Sequence, residues 1–415
     1  AKDAVLVNEG SIFVKGSDAN FYMNQAMLAD QGGTVENRGL IVTDKAYGMA
    51  FGSNGNGNTS DANKLVNAGN GRIIVNGGAA MELGSGVGAS SAENAGSIDV
   101  NYLGKNVNID SVGILFGMSG DAVGTFTNTG SIVADEDAYA IKVDGGNADI
   151  NLEAGTVRGD IQIGGKEGST VGNVNLTINN AALVEGDLTA NDGILKIQSA
   201  DGAATLNGTL TVDGATVTTA YGTVLTIDAP AVARVAAPDV DLKKGIFTVV
   251  EGSELNADTV NVTAGTDGYR LKVSGEADID TLNVTASTKT AIQTLKDGEL
   301  NIGTVTVTGS GMAIDMSGSS VVTVNKAIES TVDAKAVAAW DDSTLNLADG
   351  IDLEKAGSAA IQLKGGTLST NSAVYRKDGK IAANAKITSD VGSTVSFTDE
   401  AMTFEDLVAL KTVTG

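Results

Sequence analysis

A short unit, N-x-G-x-I-x-V, recurs along the first third of the chain and limits its fold more than any other feature. The clearest copy is Asn94-Ala95-Gly96-Ser97-Ile98-Asp99-Val100, and the other copies begin at Asn8, Asn37, Asn67 and Asn128, with successive spacings of 29, 30, 27 and 34 residues. An Asn-x-Gly turn suits positive φ, and the alternation that follows it is that of a short strand. Strands that repeat every 20 to 50 residues or so predict a stacked β-solenoid.

A longer unit in the second half sets the length of one coil. Three copies of E-[LA]-[ND]-[AI]-[DG]-T-[VL]-[NT]-V-T align without gaps, 22 and 23 residues apart, at 254–263, 276–285 and 299–308. A second strand motif, A-I-x-[VLM]-x-G, occurs in both halves of the chain, at 140–145, 313–318 and 360–365. The sequence therefore predicts one repeat family and an all-β, parallel β-helix with about 20 to 30 residues per coil.

The predicted organisation is one continuous β-helix over residues 1–415. Its parts are a first repeat array at 1–227 with a projecting loop at 52–63, a second array at 240–400, and a capping helix at 401–415, for which an extended linker is the alternative. Residues 228–239 contain both prolines of the chain. Because proline cannot donate to a strand ladder, we interpret this stretch as a kink or insertion, with a boundary between two domains as the alternative.

Composition narrows the possible functions. The chain has 51 acidic residues against 27 Lys and Arg, and its net charge of −24 repels nucleic acids and polyanionic substrates. It has no His and no Cys, which excludes Ser-His-Asp and Cys-His nucleophiles, imidazole and thiolate metal sites, and disulfides. No apolar run approaches about 18 residues, so no membrane span is expected. We expect no cofactor and no bound metal.

Because of these units, the whole chain resembles the passenger region of a type V autotransporter, the group that includes pertactin and the AIDA-like self-associating adhesins of Gram-negative bacteria. The matching features are the N-x-G-[ST]-I units, the G-x-V-x-G-D-[IL] turns and the G-x-[LV]-x-[IV] strands, in a chain with no Cys and 2 Pro. The resemblance implies a right-handed parallel β-helix, a single-stranded right-handed superhelix with three strands per coil. It also implies export across the outer membrane and display on the cell surface.

Arg158-Gly159-Asp160 is an integrin-binding tripeptide by sequence. Glu185-Gly186-Asp187 occupies the same turn 27 residues later. We therefore interpret Gly-Asp as a corner motif, and Arg158 as the residue that occupies a variable, solvent-exposed position at one of these corners. Arg158, Gly159 and Asp160 are retained as candidate binding residues beside this structural interpretation.

Three other patterns are interpreted as structural. Residues 145–150 half-match a calcium-binding nonapeptide but lack its third glycine. The acidic runs 135–137 and 341–342 are typical of solvated surface rather than of cation sites. Trp340, the single Trp of the chain, aligns with Ile361 in the second strand motif, so we predict that it packs in the core rather than serving as a sugar-stacking platform.

The function predicted from these patterns is non-catalytic adhesion, either attachment or self-association with biofilm formation, through a long polar face. The candidate binding residues on that face are Asn261, Thr263, Asn283, Thr285 and Thr308. The expected partners are a host-cell or extracellular-matrix protein, a glycan, or another copy of the chain, and not nucleic acid. One alternative is a carbohydrate-active enzyme, a glycoside hydrolase or polysaccharide lyase, that uses stacked carboxylates such as Asp258 and Asp280. A structural stalk is the other alternative.

Overall fold

The computed structural model describes most of the chain, and the described residues are 4–16, 24–30, 32–51, 62–84, 90–104, 110–117, 122–166, 168, 170–228, 239–264, 268–378, 380–399, 406, 408 and 409. The chain divides into two compact units: unit 1 comprises residues 1–220 and 228–236, and unit 2 comprises residues 221–227 and 237–415. Nearly all of the predicted loop at 52–63 and of the proline-containing stretch at 228–239 lies outside the described residues. Continuity of one helix through residues 1–415 therefore stays a prediction.

Unit 1 is built from short parallel strands joined by tight corners. Its strands in chain order are β1 (Val5–Asn8), β2 (Ser11–Lys15), β3 (Gln25–Ala29), β4 (Thr34–Asn37), β5 (Leu40–Asp44), β6 (Tyr47–Phe51), β7 (Lys64–Asn67), β8 (Arg72–Asn76), β9 (Gly78–Leu83), β10 (Ser90–Asn94), β11 (Ser97–Asn101), β12 (Ser111–Gly117), β13 (Val123–Asn128), β14 (Ser131–Ala134), β15 (Tyr139–Leu152), β16 (Gly155–Arg158), β17 (Asp160–Ile163), β18 (Val171–Ile178), β19 (Ala182–Glu185), β20 (Leu188–Ala190), β21 (Ile194–Gln198), β22 (Ala203–Asn207) and β23 (Leu210–Thr219).

Three strands make one coil of unit 1, and equivalent strands of successive coils pair in parallel. The first stack begins β1, β4, β7, β10, β13. The second begins β2, β5, β8, β11, β14, and the third begins β3, β6, β9, β12. Strand β15 supplies the third stack with its first half and the first stack with its second half. The prediction of a parallel β-helix is confirmed.

The repeated isoleucine of the N-x-G-x-I-x-V unit forms a column in the core. Ile41, Ile73, Ile98 and Ile132 pair in register along the second stack, and each is fully buried. Because side chains alternate between the two faces of a strand, the residues on either side of each isoleucine face outward. Each buried aliphatic side chain contributes about 1.5–3 kcal/mol of transfer free energy, so the column is a large part of what joins the coils.

The asparagine of the same unit forms a second buried column, the asparagine ladder, at the corner between the first and second stacks. The side-chain amides of the first four members donate to the Oδ1 of the asparagine in the next coil, at 2.8, 2.9, 2.8 and 2.8 Å, and the members in order are Asn8, Asn37, Asn67, Asn94 and Asn128. The Asn128 amide ends the ladder by donating to the backbone carbonyl of Ala154 at 3.3 Å. All five side chains are buried. The ladder therefore satisfies inside the protein amides that would otherwise be costly to bury.

The glycine of the unit is needed for a different reason from the one expected. We expected positive φ, but Gly39, Gly96 and Gly130 do not adopt it. A Cβ at Gly39 would instead lie 2.0 Å from the carbonyl oxygen of Gly10, and one at Gly96 or Gly130 would lie 2.2 Å from a carbonyl of the preceding coil. The glycines are thus selected by the close approach of stacked backbones, and the φ explanation was wrong.

Unit 2 repeats the same architecture. Its strands are β24 (Val224–Asp228), β25 (Val240–Val249), β26 (Glu254–Ala264), β27 (Leu271–Val273), β28 (Glu276–Ala286), β29 (Ile292–Thr294), β30 (Glu299–Gly309), β31 (Met312–Met316), β32 (Val321–Ser330), β33 (Lys335–Trp340), β34 (Thr344–Leu347), β35 (Ile361–Lys364), β36 (Thr367–Thr370), β37 (Arg376–Lys377), β38 (Lys380–Ile381), β39 (Ile387–Ser389) and β40 (Thr394–Phe397), with a 3₁₀ helix at Ser372–Tyr375.

The long strands of unit 2 each serve two stacks. The first parts of β26, β28, β30 and β32 pair with one another and continue into β34, β36 and β40, while their second parts form another stack. The third stack contains the end of β25 and then β27, β29, β31, β33, β35 and β39. The predicted alignment of the three long repeats is confirmed residue by residue, because Glu254 pairs with Glu276 and Glu276 with Glu299.

Little of the predicted capping helix can be compared with the structure. Asp406, Val408 and Ala409 are helical, and the other residues of 401–415 lie outside the described part of the chain. Upstream of these residues, strands β37 and β38 form a short antiparallel pair. Arg376 joins the region to Asp406 through an ion pair of 3.3 Å.

Candidate functional site

The most regular surface in unit 2 is a block of short polar side chains on the second parts of β26, β28 and β30. Each strand presents three of them outward in the pattern T-x-[NT]-x-T, and the residues between them are buried. We call this surface the threonine–asparagine array, and its members are Thr259, Asn261, Thr263, Thr281, Asn283, Thr285, Thr304, Thr306 and Thr308. Rows of the array lie one strand spacing apart, about 4.8 Å.

All five predicted polar binding residues belong to this array. Asn261 pairs in register with Asn283, Thr263 with Thr285, and Thr285 with Thr308. The Asn283 amide donates to Oδ1 of Asn261 at 3.0 Å, and the hydroxyls of Thr285 and Thr308 lie 3.2 Å apart. Since the asparagines are half-buried and the threonines of this edge exposed, the array is held in place along its columns and keeps hydrogen-bonding capacity toward solvent.

The Arg-Gly-Asp tripeptide lies at a corner between β16 and β17. Arg158 forms an ion pair of 2.6 Å with Glu185 of the next coil, and Gly159 has φ of +122°. Oδ1 of Asp160 accepts a hydrogen bond of 3.1 Å from the backbone N–H of Asp187. Asp187 repeats this contact one coil later with the N–H of Thr209, at 2.9 Å. The aspartates therefore link stacked corners, and the arginine is engaged along the same stack.

The proposed catalytic carboxylates lie on an open surface. Asp258 and Asp280 are both exposed, at the bend between the two parts of β26 and β28. Lys326 approaches Asp280 at 3.7 Å. A cleft of 310 Å³ elsewhere in unit 2 has one carboxylate in its lining, that of Glu354. Neither place supplies the pair of enclosed carboxylates that glycoside hydrolysis uses.

Trp340 does not pack in the core, and that prediction was wrong. Its side chain is 40% exposed. The alignment of Trp340 with Ile361 was displaced by three positions, because the structure pairs Val337 with Ile361 and Trp340 with Lys364. The indole N–H donates to Oδ1 of Asp315, and the Lys364 ammonium lies 4.1 Å from the ring centroid.

A group of charged residues that the sequence did not indicate lies on the third stack of unit 1. Lys142 is buried, and its Nζ contacts the carboxylates of Asp110 and, at 3.3 Å, of Asp144. Lys166 approaches the other oxygen of Asp144 at 3.4 Å. Burial lowers the pKa of Lys142, but the hydrogen bond with Asp110 and the negative charges of Asp110 and Asp144 outweigh it and raise the pKa above its ordinary value.

Glu82 stands near this group in apolar surroundings. Its neighbours in register are Ala50 and Leu115, which belong to an apolar cluster with Tyr47 and Val112. Burial raises the pKa of Glu82 from 4.5 to about 7, against a smaller opposing effect of Lys166. A carboxyl group with that pKa exchanges protons near neutral pH, and no sequence pattern pointed to it.

Aspartates of the half-matched calcium motif and of the acidic run 135–137 accept ordinary hydrogen bonds within the protein. Asp149, in the half-matched calcium motif, accepts a hydrogen bond of 2.7 Å from Asn175. Asp135 accepts one of 3.0 Å from the backbone N–H of Tyr102. Among the residues whose positions are described, no three acidic side chains converge into a metal site. Within the same residues, no helix is long and apolar enough to cross a bilayer.

Comparison of the chain with protein-family models, with curated proteins and with solved structures finds no match. The parallel β-solenoid is therefore established by the coordinates, and a solenoid by itself serves binding, scaffolding and catalysis alike. Any functional assignment has to rest on the surfaces described above.

Proposed function

We propose that the chain is a non-catalytic adhesin of the cell surface, which attaches to a host-cell or matrix protein, to a glycan, or to another copy of itself. The observation that supports this most is the threonine–asparagine array. Nine short polar side chains face solvent in three rows and three columns, on strands whose intervening residues are buried. Such an array offers many equivalent weak hydrogen bonds to one partner surface.

Avidity provides the strength in this mechanism. A single exposed hydrogen bond contributes only about 0.5–1.5 kcal/mol, because water competes for the same groups. Once the first contact forms, the remaining contacts of the array are effectively intramolecular, and many copies displayed together multiply the effect. Short threonine and asparagine side chains also lose little conformational entropy when they are fixed, in contrast to lysine or glutamate.

The experiment uses beads coated with the purified chain, and it measures bead clumping together with bead attachment to cultured cells and to immobilised glycans. We expect adhesion to at least one of these partners. Replacing two array residues by long charged side chains, Asn283→Arg with Thr285→Arg, is expected to reduce that adhesion at least tenfold, because the bulky cations prevent close approach to the rows.

The matched control is a second threonine column on another stack of the same unit, where Thr344, Thr367 and Thr394 pair in register. Thr344→Arg with Thr367→Arg makes the same change of charge and volume away from the array, and it should leave adhesion unchanged. Equal adhesion of the array variant and the unmodified chain would refute the proposal, and so would beads that adhere to no partner.

The proposed location is the outer surface of a Gram-negative cell, reached by export. Its support is the resemblance of the N-x-G-[ST]-I and Gly-Asp corner motifs to autotransporter passengers, together with the net charge of −24, which keeps a long displayed protein soluble. Brief protease treatment of intact cells that produce the protein tests this location. A surface protein is cleaved while cytoplasmic markers survive, whereas equal protection of both would contradict the proposal.

A carbohydrate-active enzyme is the second candidate, and one observation favours it. Glu82, with its pKa raised to about 7 by burial, has the proton affinity of a general acid working at neutral pH. The test is turnover of a panel of neutral and acidic polysaccharides by the full chain. Turnover that Glu82→Gln abolishes would favour this candidate, and absence of turnover on the whole panel would remove it.

A further inference from the structure

The third stack of unit 2 carries a row of polar residues that face outward. Lys272, Gln293 and Asp315 pair in register on β27, β29 and β31, and Gln362 on β35 continues the row beyond Ala338 of β33, whose small side chain is buried. The residues on either side of this row, such as Leu271 and Val273 beside Lys272, are buried. The row therefore stands on a rigid sheet, on a different stack from the threonine–asparagine array.

Asp315 holds two aromatic side chains against this row. The Tyr269 hydroxyl donates to Oδ2 at 3.1 Å, and the Trp340 indole N–H donates to Oδ1. The neighbour of Asp315 in the next coil is Ala338. Ala338 lies on β33, the strand that also carries Trp340, and its side chain is only a methyl group. Burial, followed by the charge of Asp315 and its hydrogen bond, raises the pKa of Tyr269, which keeps the hydroxyl protonated as a donor.

Two lysines complete the arrangement. The Lys364 ammonium lies 4.1 Å from the centroid of the Trp340 ring, and the Lys272 ammonium lies 6.0 Å from that of Tyr269. These cation–π contacts and the two hydrogen bonds to Asp315 fix the rings in place. An exposed tryptophan held in this way loses little entropy when a ligand binds, which is the usual advantage of a preorganised site.

The free hydrogen-bonding groups around the indole select the class of ligand. Asp315 uses one acceptor position on each oxygen and keeps the others. No described residue forms a hydrogen bond with the amide of Gln293 or of Gln362, and both side chains are half-buried. A ligand that complements an aromatic face, a carboxylate acceptor and two amides has apolar C–H faces and many hydroxyls. Those are the features of a sugar ring.

We propose that Trp340, Asp315 and Gln362, together with Gln293, form a binding site for a neutral oligosaccharide. The sugar ring stacks on the exposed part of the indole, its hydroxyls donate to Asp315, and the glutamine amides bind further hydroxyls along the row. A neutral ligand is favoured over an anionic one because Asp315 stands at the centre of the site and the chain carries a net charge of −24. This site goes beyond the proposed adhesive array, and either can fail without the other.

The single tryptophan makes the test direct, because indole fluorescence of the full chain reports on this site alone. The chain is titrated with neutral hexasaccharides from cellulose, chitin, mannan and starch, and with a uronic acid hexasaccharide for comparison. We expect a saturable change of emission with at least one neutral ligand. Asp315→Asn and Gln362→Ala are each expected to weaken binding at least tenfold, with the far-ultraviolet circular dichroism of the chain unchanged.

Calorimetry extends the test to variants that lack the reporter. Trp340→Ala should abolish binding, and Trp340→Phe should retain part of it because a smaller aromatic face remains. Tyr221, an aromatic side chain of unit 2 that is 82% exposed, is the control, and Tyr221→Ala should bind as the unmodified chain does. The proposal is overturned if no neutral ligand alters the emission, if only the uronic acid ligand does, or if the emission changes only with protein concentration, which would indicate a second copy at the site.

Discussion

The two units use asparagine in opposite ways. In unit 1, Asn37, Asn67 and Asn94 are buried at a corner and donate to one another at 2.8–2.9 Å. In unit 2, Asn261 and Asn283 also stack, with a bond of 3.0 Å, but they are half-buried on the outside of a sheet. A ladder of identical residues is therefore buried in the structure in one place and accessible from solvent in the other. Its role depends on whether the asparagine side chains face the core or the outer surface of the sheet.

The residues around each asparagine decide between the two roles. In the N-x-G unit a glycine follows at the corner, where the chain turns and brings Asn67 inward. In the T-x-N-x-T unit, strict alternation places Val260 and Val262 in the core and Asn261 between them on the surface. The comparison predicts that changes in the first ladder affect folding and that changes in the second affect binding.

The largest expected effect is that of Asn67→Ala. The change removes the acceptor of the Asn37 amide and the donor to Asn94, both buried. Two partner groups each lose a buried hydrogen bond, and at about 1–3 kcal/mol each these losses predict a decrease of about 2–6 kcal/mol in the unfolding free energy of unit 1. Hydrogen exchange of the β7 and β10 amides measures it, and Asn283→Ala, at under about 1 kcal/mol, is the matched change in the exposed ladder. Equal losses of unfolding free energy for the two variants would contradict the distinction between a structural ladder in unit 1 and an exposed ladder in unit 2.

A second test addresses the contact between coils. Gly96→Ala places a Cβ 2.2 Å from the carbonyl oxygen of Gly71, whereas a Cβ at Gly10, the same position of the repeat in the first coil, meets nothing within 4 Å. We expect Gly96→Ala to cost about 3 kcal/mol and Gly10→Ala to be nearly neutral, as judged by hydrogen exchange around each site. If both are neutral, the glycines are not selected by backbone contact.

The third test uses pH to measure how burial of one carboxyl group, that of Glu82, affects the stability of unit 1. The folded pKa of Glu82, about 7, lies above its ordinary value of 4.5, so the folded state binds this proton more tightly than the unfolded state does. Its contribution to stability is complete below pH 4.5 and is lost as pH rises through 7. Glu82→Gln should match the unmodified chain near pH 4 and exceed it by about 1–3 kcal/mol at pH 8. Exchange rates of the β9 amides measure this, and identical pH profiles would contradict the assignment.

Much of the fold could be predicted from the sequence because its units alternate clearly. Strands with apolar residues at every second position have only one register that buries them, and the predicted alignment of Glu254 with Glu276 was correct. The predicted register of the segment Lys335–Trp340, KAVAAW, was wrong because four of its residues are buried in succession. Without alternation no pattern of apolar residues indicated its register, and Trp340 was assigned to the core.

The candidate sites were less predictable because their members come from different coils. Tyr269 and Trp340 meet through Asp315, although 46 residues separate Tyr269 from that aspartate. Burial raises the pKa of Glu82, and its neighbours in register, Ala50 and Leu115, come from the preceding and following coils, which no local motif reveals. The array residues were found because each row is a repeat and the repeats align.

The most direct test of the account compares adhesion and stability in one variant, Asn283→Arg. Adhesion is measured with coated beads, and stability with urea unfolding followed by the fluorescence of Trp340, which belongs to unit 2. We predict that adhesion falls at least tenfold while the unfolding midpoint stays within experimental error of the unmodified chain. Unchanged adhesion, or a midpoint lowered as far as one expects for a buried ladder, would contradict the claim that this ladder of unit 2 is a binding surface.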